Sequence, residues 1–129
     1  MRMRRVPDPI AGTLRALTAA LDQALSSSLV GAYLYGSLTQ RAFDPARSDV
    51  DCIVVVRRDL TDAQLRKLAA WLAHASDSDA WVRRLQMQVL RRGRLLQSDS
   101  RGALYQFGSL RRSGSDGNPI IWRNVLKFR

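Results

Sequence analysis

Glutamate is absent from this chain of 129 residues; all eleven acidic residues are aspartates. No physical cause for the absence is evident. It bears on carboxylate chemistry all the same, because glutamine then stands where glutamate is expected. Cysteine is nearly absent too. Cys52 is the single one, which excludes an internal disulfide and suits a reducing cytoplasm. No apolar run approaches the ~20 residues that a membrane-spanning helix needs. Met1-Arg2-Met3-Arg4-Arg5 has the charge of a signal-peptide start, but Val6-Pro7-Asp8-Pro9 follows where an apolar segment should be, which argues against export. Internal repeats and low-complexity tracts are missing as well. What remains is a cytoplasmic chain of one domain, residues 1–129, long enough for a real core and too short for two.

Charge is present in excess of one sign. The net charge is +10, and nineteen of the 21 basic residues are arginine. Such a balance favours polyanionic partners, nucleotides or nucleic acid among them. The arginines are dispersed as pairs (Arg57-Arg58, Arg83-Arg84, Arg91-Arg92, Arg111-Arg112) rather than gathered in one block. That dispersion fits general solubility better than a dedicated nucleic-acid surface.

Apolar spacing sets the expected elements. Asp8 followed by Pro9 is a helix start, a capping side chain and then proline in the first turn. Ile10, Leu14, Leu17, Leu21 and Leu25 continue it as one apolar stripe, and Ser26-Ser27-Ser28 ends it. Leu29 to Tyr35 reads as a buried strand. Ser37 can cap a short helix through about Ala42, which Asp44-Pro45 stops. Asp49 to Val56 is a second strand. Thr61 and Gln64 form a capping box for a helix that buries Leu65, Leu68, Leu72 and Ala75.

Ser76 to Asp79 reads as a polar loop and Trp81 to Leu90 as a third strand. On that strand Leu85, Met87 and Val89 share one face, and Arg84, Gln86 and Gln88 the other. Residues 91–129 read as a basic extension to a core of about 10–90. Within it Ala103 to Phe107 suits a strand or turn, and Ser113 to Gly117 a loop. Asn118-Pro119 starts a terminal helix with Ile121, Val125 and Leu126 on one side.

Chemistry concentrates in Gly36-Ser37 and, after eleven intervening residues, Asp49-Val50-Asp51, with apolar runs before and after. Asp49 and Asp51 are two apart on a strand, so they project to one face with Cα atoms ~7 Å apart. Converging carboxylates at that spacing can share magnesium, which takes one or two carboxylates plus substrate phosphates. Two such ions ~4 Å apart can activate a hydroxyl and neutralise a leaving pyrophosphate. Gly36 lets backbone approach a phosphate, and Ser37 adds a hydroxyl at a helix start. Arg41, one turn on, can reach a phosphate or lie in solvent.

Ala32-Tyr33-Leu34-Tyr35-Gly36-Ser37 and Arg47-Ser48-Asp49-Val50-Asp51-Cys52-Ile53-Val54 resemble the motif of the DNA polymerase β-type nucleotidyltransferase superfamily. Within it they are most similar to the N-terminal domain of aminoglycoside (streptomycin and spectinomycin) adenylyltransferases. The resemblance covers residues 10 to 90 or so, and Leu104-Tyr105-Gln106-Phe107-Gly108 to Trp122-Arg123-Asn124 more loosely. It implies an α/β (α+β) domain, a small mixed β-sheet flanked by helices in the nucleotidyltransferase fold. Gly36, Ser37 and Arg41 would hold the triphosphate of ATP, and Asp49 and Asp51 would bind Mg2+. The family's third carboxylate comes from a later strand in an apolar-acid-apolar pattern. Leu85-Gln86-Met87 is the matching stretch, so Gln86 stands where that carboxylate is expected.

Glutamine cannot accept a proton from a hydroxyl and is a weaker, neutral metal ligand. The expectation is therefore nucleotide and metal binding with weak or absent transfer of AMP. The acceptor is open: an aminoglycoside-type small molecule or a protein. The full antibiotic-modifying enzymes carry a helical second domain that this chain lacks. Two other readings compete. One is a minimal nucleotidyltransferase acting as antitoxin to a helical toxin, with the terminal helix as partner surface. The other is a non-catalytic nucleic-acid-binding module, which the charge supports.

Overall fold

Helix α1, Asp8–Leu25, forms where the apolar stripe places it. Its Ile10, Leu14, Leu17, Leu21 and Leu25 are all buried. A 3-10 turn at Ser26–Ser28 leads to strand β1, Leu29–Tyr35. Strand β2 is Val50–Val56 and helix α2 is Asp62–Ser76. The computed structural model describes residues 8–35, 44, 46–97, 102–113 and 126–129.

The start of α2 is the capping box expected from sequence. The Gln64 amide N–H donates to Thr61 Oγ1 at 3.1 Å, and the Thr61 N–H donates to Gln64 Oε1 at 3.0 Å. Leu68 and Leu72 are buried in full, while Leu65 and Ala75 are partly buried against the same core.

The third strand is shorter than expected. Trp81 and Val82 belong to a one-turn helix, α3, Ala80–Arg83, and strand β3 is Leu85–Arg91. Asp79 causes the difference. Its Oδ1 accepts from the Trp81 N–H at 2.9 Å, which caps α3, and its Oδ2 accepts from the buried Thr13 hydroxyl at 2.6 Å. One carboxylate thus ties α1 to the approach to β3. Asp79→Ala is expected to cost about 2 kcal/mol, the sum of a lost cap and a lost charged hydrogen bond, read as a shift in the urea midpoint.

Strands β4, Gly102–Gln106, and β5, Ser109–Ser113, form a hairpin. Its two loop residues, Phe107 and Gly108, have φ of 53° and 79°, the positive pair that a type I′ turn requires. The last strand, β6, is Leu126–Lys127, which corrects the expectation of a helix reaching Leu126. β6 pairs antiparallel with β1, Tyr33 opposite Lys127 and Leu34 opposite Leu126. The Phe128 N–H donates to the Ala32 carbonyl at 2.9 Å, and the Phe128 ring is in the core. The rest of that expected helix, with Trp122, lies outside the described residues, as does the expected helix from Ser37 to Ala42.

The sheet has six strands in the order β5-β4-β3-β2-β1-β6. Only β2 and β3 run parallel; the other neighbours are antiparallel. This is the mixed α+β architecture that was expected. Helices α1 and α2 cover one face, where Cys52, Val54, Met87, Val89 and Tyr105 join the main core. The opposite face holds a smaller cluster of Ile53, Val55 and Leu90 with Val30, Tyr33 and Tyr35 against it. With apolar residues on both faces, β2 is a near-continuous hydrophobic run. Among the described residues no helix is long and apolar enough to cross a membrane.

Candidate active site

The carboxylates stand at the N-terminal end of β2. A turn delivers the chain to them. Asp44 accepts from the Ala46 N–H through Oδ1 at 2.9 Å, and its own N–H donates to Ser48 Oγ at 2.9 Å. The Ser48 N–H returns to the Asp44 carbonyl at 2.8 Å. Asp49 follows, exposed and one residue ahead of the strand rather than inside it as expected. The strand bonds begin at Val50, whose N–H donates to the Arg84 carbonyl at 3.0 Å. Asp51 is the second residue of β2 and is half-buried.

Neighbouring strands define what Asp51 meets. Tyr35, the last residue of β1, is its partner on one side, and Gln86 of β3 is its partner on the other. Residues directly opposite across strands share a face, so Tyr35, Asp51 and Gln86 form one cross-strand row. Gln86 is half-buried. The structure therefore brings Asp49, Asp51 and Gln86 to one end of the sheet. Gly36, Ser37 and Arg41 lie outside the described residues.

Electrostatics at this row is unfavourable to negative charge. Burial pushes Asp51 up to about 6, and the charge of Asp49 adds to the shift. Burial likewise pushes Tyr35 up to about 12, with the charges of Asp51 and Cys52 contributing. Cys52 is raised by burial and by Asp51; it lies wholly in the core on the opposite face. No group of three or more His, Cys, Asp or Glu side chains gathers among the described residues. Gln86, beside Asp51 in the row, carries a neutral amide.

One residue at this end was not singled out from sequence. Arg84, placed on a strand by its alternation with Gln86, sits instead at the C-terminal cap of α3. Its guanidinium lies over the Trp81 ring, 4.4 Å from the centroid, and donates to the Ser48 carbonyl. It thereby braces the backbone immediately before Asp49. The signal was the three-residue separation of Trp81 and Arg84, which makes neighbours on a helix and not on a strand.

A cavity of about 200 Å³ lies at the opposite end of the sheet, lined by Val56, Leu60, Val89, Ala103, Arg94 and Arg112 among others. Its guanidiniums are already matched. Arg94 forks onto Asp59 at 2.6 and 2.9 Å, and Arg112 reaches Asp62 at 2.7 Å. The carboxylate row, a pair of like charges with no ion pair among the described residues, is the stronger candidate for chemistry.

No protein-family model matches the chain, and no curated protein matches it in sequence. Among solved structures it is similar to a toxin–antitoxin with AMP-PNP, at 20% identity over 80% of this chain and 74% of that one, with a TM-score of 0.41. It is also similar to a provisionally assigned nucleotidyltransferase from Sulfolobus solfataricus, at 14% identity over 94% of this chain and 99% of that one, with a TM-score of 0.39. Overlap at this level carries no argument about activity, ligand or partner.

Proposed function

We propose that the chain is a nucleotidyltransferase-type domain that binds a nucleoside triphosphate, ATP, with Mg2+ at the Asp49–Asp51 end of the sheet. One observation carries the reading: Asp51 pairs with Gln86 in the parallel register of β2 and β3. The sequence resemblance assigns the third carboxylate position to residue 86 from a local pattern alone. That this position falls beside Asp51, on the adjoining strand and the same face, supports the assignment.

The donor set fits magnesium. Two carboxylate oxygens are hard ligands of the type it prefers. Burial and the like charge of Asp49 raise the proton affinity of Asp51, and a divalent cation would relieve the same repulsion. Asp49 and Asp51 would hold the metal, which when bound supplies charge neutralisation for a leaving pyrophosphate. Gly36 would let the backbone approach the triphosphate, and Ser37 and Arg41 would contact it. Arg84 would keep Asp49 in place through Ser48. Gln86 can orient an acceptor hydroxyl by its amide but cannot take its proton. The domain therefore binds nucleotide better than it transfers it. The finer assignment to the aminoglycoside adenylyltransferase group rests on the sequence resemblance, and the acceptor is outside this proposal.

Isothermal titration with a non-hydrolysable ATP analogue, with and without Mg2+, tests the binding. Magnesium-independent affinity, or no affinity, sinks it. Transfer has its own test. Gln86→Glu restores a base, a contribution of roughly 10²–10⁴ in rate when well placed. The variant is expected to release pyrophosphate from ATP faster than wild type by at least roughly the lower end of that range. An unchanged rate would remove residue 86 from the chemistry.

A further inference from the structure

The β4–β5 hairpin holds an aromatic ring in water at a strained backbone position. Phe107 is 88% exposed, and its φ of 53° lies in the left-handed region, which bulky residues seldom adopt. Asparagine, aspartate or glycine is the usual choice there. Both costs fall on one residue, and such an outlier is where a functional constraint is sought.

Register shows what stands beside it. Tyr105 is opposite Met87, so Phe107 follows Gln106 at the end of the sheet that carries Gln86 and Asp51. Gln88 is opposite Leu104, and Leu104 is opposite Arg111. Arg111 therefore shares a face with Gln86 and Asp51. Arg111 is exposed and enters no ion pair among the described residues. Arg112 turns to the other face, where Asp62 meets it. The pairing of arginines in sequence thus conceals a division in space, one neutralised and one available.

We infer that this hairpin is a docking surface for single-stranded nucleic acid, with a base stacked on Phe107 and an adjacent phosphate on Arg111. The net charge of +10 draws a polyanion. A ring presented to solvent needs an unstacked base, which a single strand offers and a duplex does not. A protein partner would need an apolar patch, yet Phe107 is the one large hydrophobic residue exposed among the described residues. The surface requires neither magnesium nor Asp51, so it stands or falls apart from the nucleotide reading.

Fluorescence anisotropy with a labelled oligo(dA) of about 12 nucleotides, within the range of one such site, is the test. Wild type is expected to bind the single strand more tightly than the same sequence as duplex. Phe107→Ala is expected to weaken binding roughly 5- to 100-fold, and Phe107→Trp to keep it. Arg111→Ala is expected to lower the log–log salt slope by about 0.7. Phe107→Gly relieves the backbone strain, so it is expected to raise the melting temperature while losing the single strand. Equal affinity of wild type and Phe107→Ala, equal binding of duplex, or no binding by wild type at low salt overturns the inference. So does loss of binding in EDTA, which would assign the ligand to the carboxylates.

Discussion

Asp51→Asn is expected to reduce the affinity for ATP in Mg2+ to the value measured without the metal. Asp51 is the better held of the two carboxylates, in the strand and bonded on both sides, whereas Asp49 is exposed ahead of it. Asparagine keeps the shape and removes the charge. Losing a charged contact of this kind costs about 1.5–3 kcal/mol, roughly 10- to 100-fold in affinity. Titration calorimetry reads it directly, and a variant that still responds to Mg2+ as wild type does would contradict it.

The same substitution is expected to stabilise the fold at neutral pH. The folded-state value of Asp51, about 6, lies above its ordinary value of 3.8. The native state then holds the proton more tightly than the unfolded chain, and stability falls as pH rises from about 4 to about 6. A shift of that size corresponds to at most ~3 kcal/mol. Solvent screening at this half-exposed group reduces it to about 1 kcal/mol. Asp51→Asn should therefore melt higher than wild type at pH 7.5 and no higher at pH 4, where wild type is protonated as well. Added Mg2+ should narrow the gap at pH 7.5 by stabilising wild type alone. A gap that is constant with pH would mean that the charge of Asp51 is not its source.

Gly102→Val is expected to be the most damaging single change to stability. A Cβ at position 102 would stand 2.0 Å from the Val89 carbonyl oxygen and 3.1 Å from its carbon. Both atoms are backbone of β3, held in the ladder where Leu90 pairs with Gly102 and Val89 with Ala103. No rotamer change can clear them, so β4 must move away from β3. That separation uncovers Ala103 and Tyr105, both in the main core, and carries β5 with it. A loss of about 4 kcal/mol or more places it among the largest single-residue effects, out of a total of about 5–15 kcal/mol for a domain. A urea midpoint within a few tenths of wild type would show that the two strands are not packed this closely.

Where local chemistry decides structure, the sequence was readable. α1 turns its apolar stripe inward, β1 runs from Leu29 to Tyr35, and Thr61 caps α2, all as expected. The pair Asp49 and Asp51 could be proposed from spacing, and Gln86 from resemblance. Their meeting depends on a parallel register between strands joined through α2 and α3, which no local pattern encodes. Two elements were misread and one, β5, was not assigned, each for an identifiable reason. Asp79 spends its carboxylate on capping a single turn, so Trp81 and Val82 leave the strand. β5 has one apolar residue, Leu110, in Ser-Leu-Arg-Arg-Ser, and its turn carries phenylalanine where the usual signal would be asparagine or aspartate. Leu126 looked helical by its spacing from Ile121 and Val125, but pairing with β1 overrides that preference.

The place of β6 has a bearing on how the protein is made. β1 is translated early and has two neighbours in the finished sheet. One, β2, follows it closely; the other, β6, lies almost a whole domain further along the chain. During synthesis the free side of β1 presents unpaired backbone groups beside an apolar face, a template for pairing with another nascent chain. Phe128 seals the core only when that late strand arrives. A chain cut short before Leu126 therefore keeps that template open and is expected to pair edge to edge with another copy.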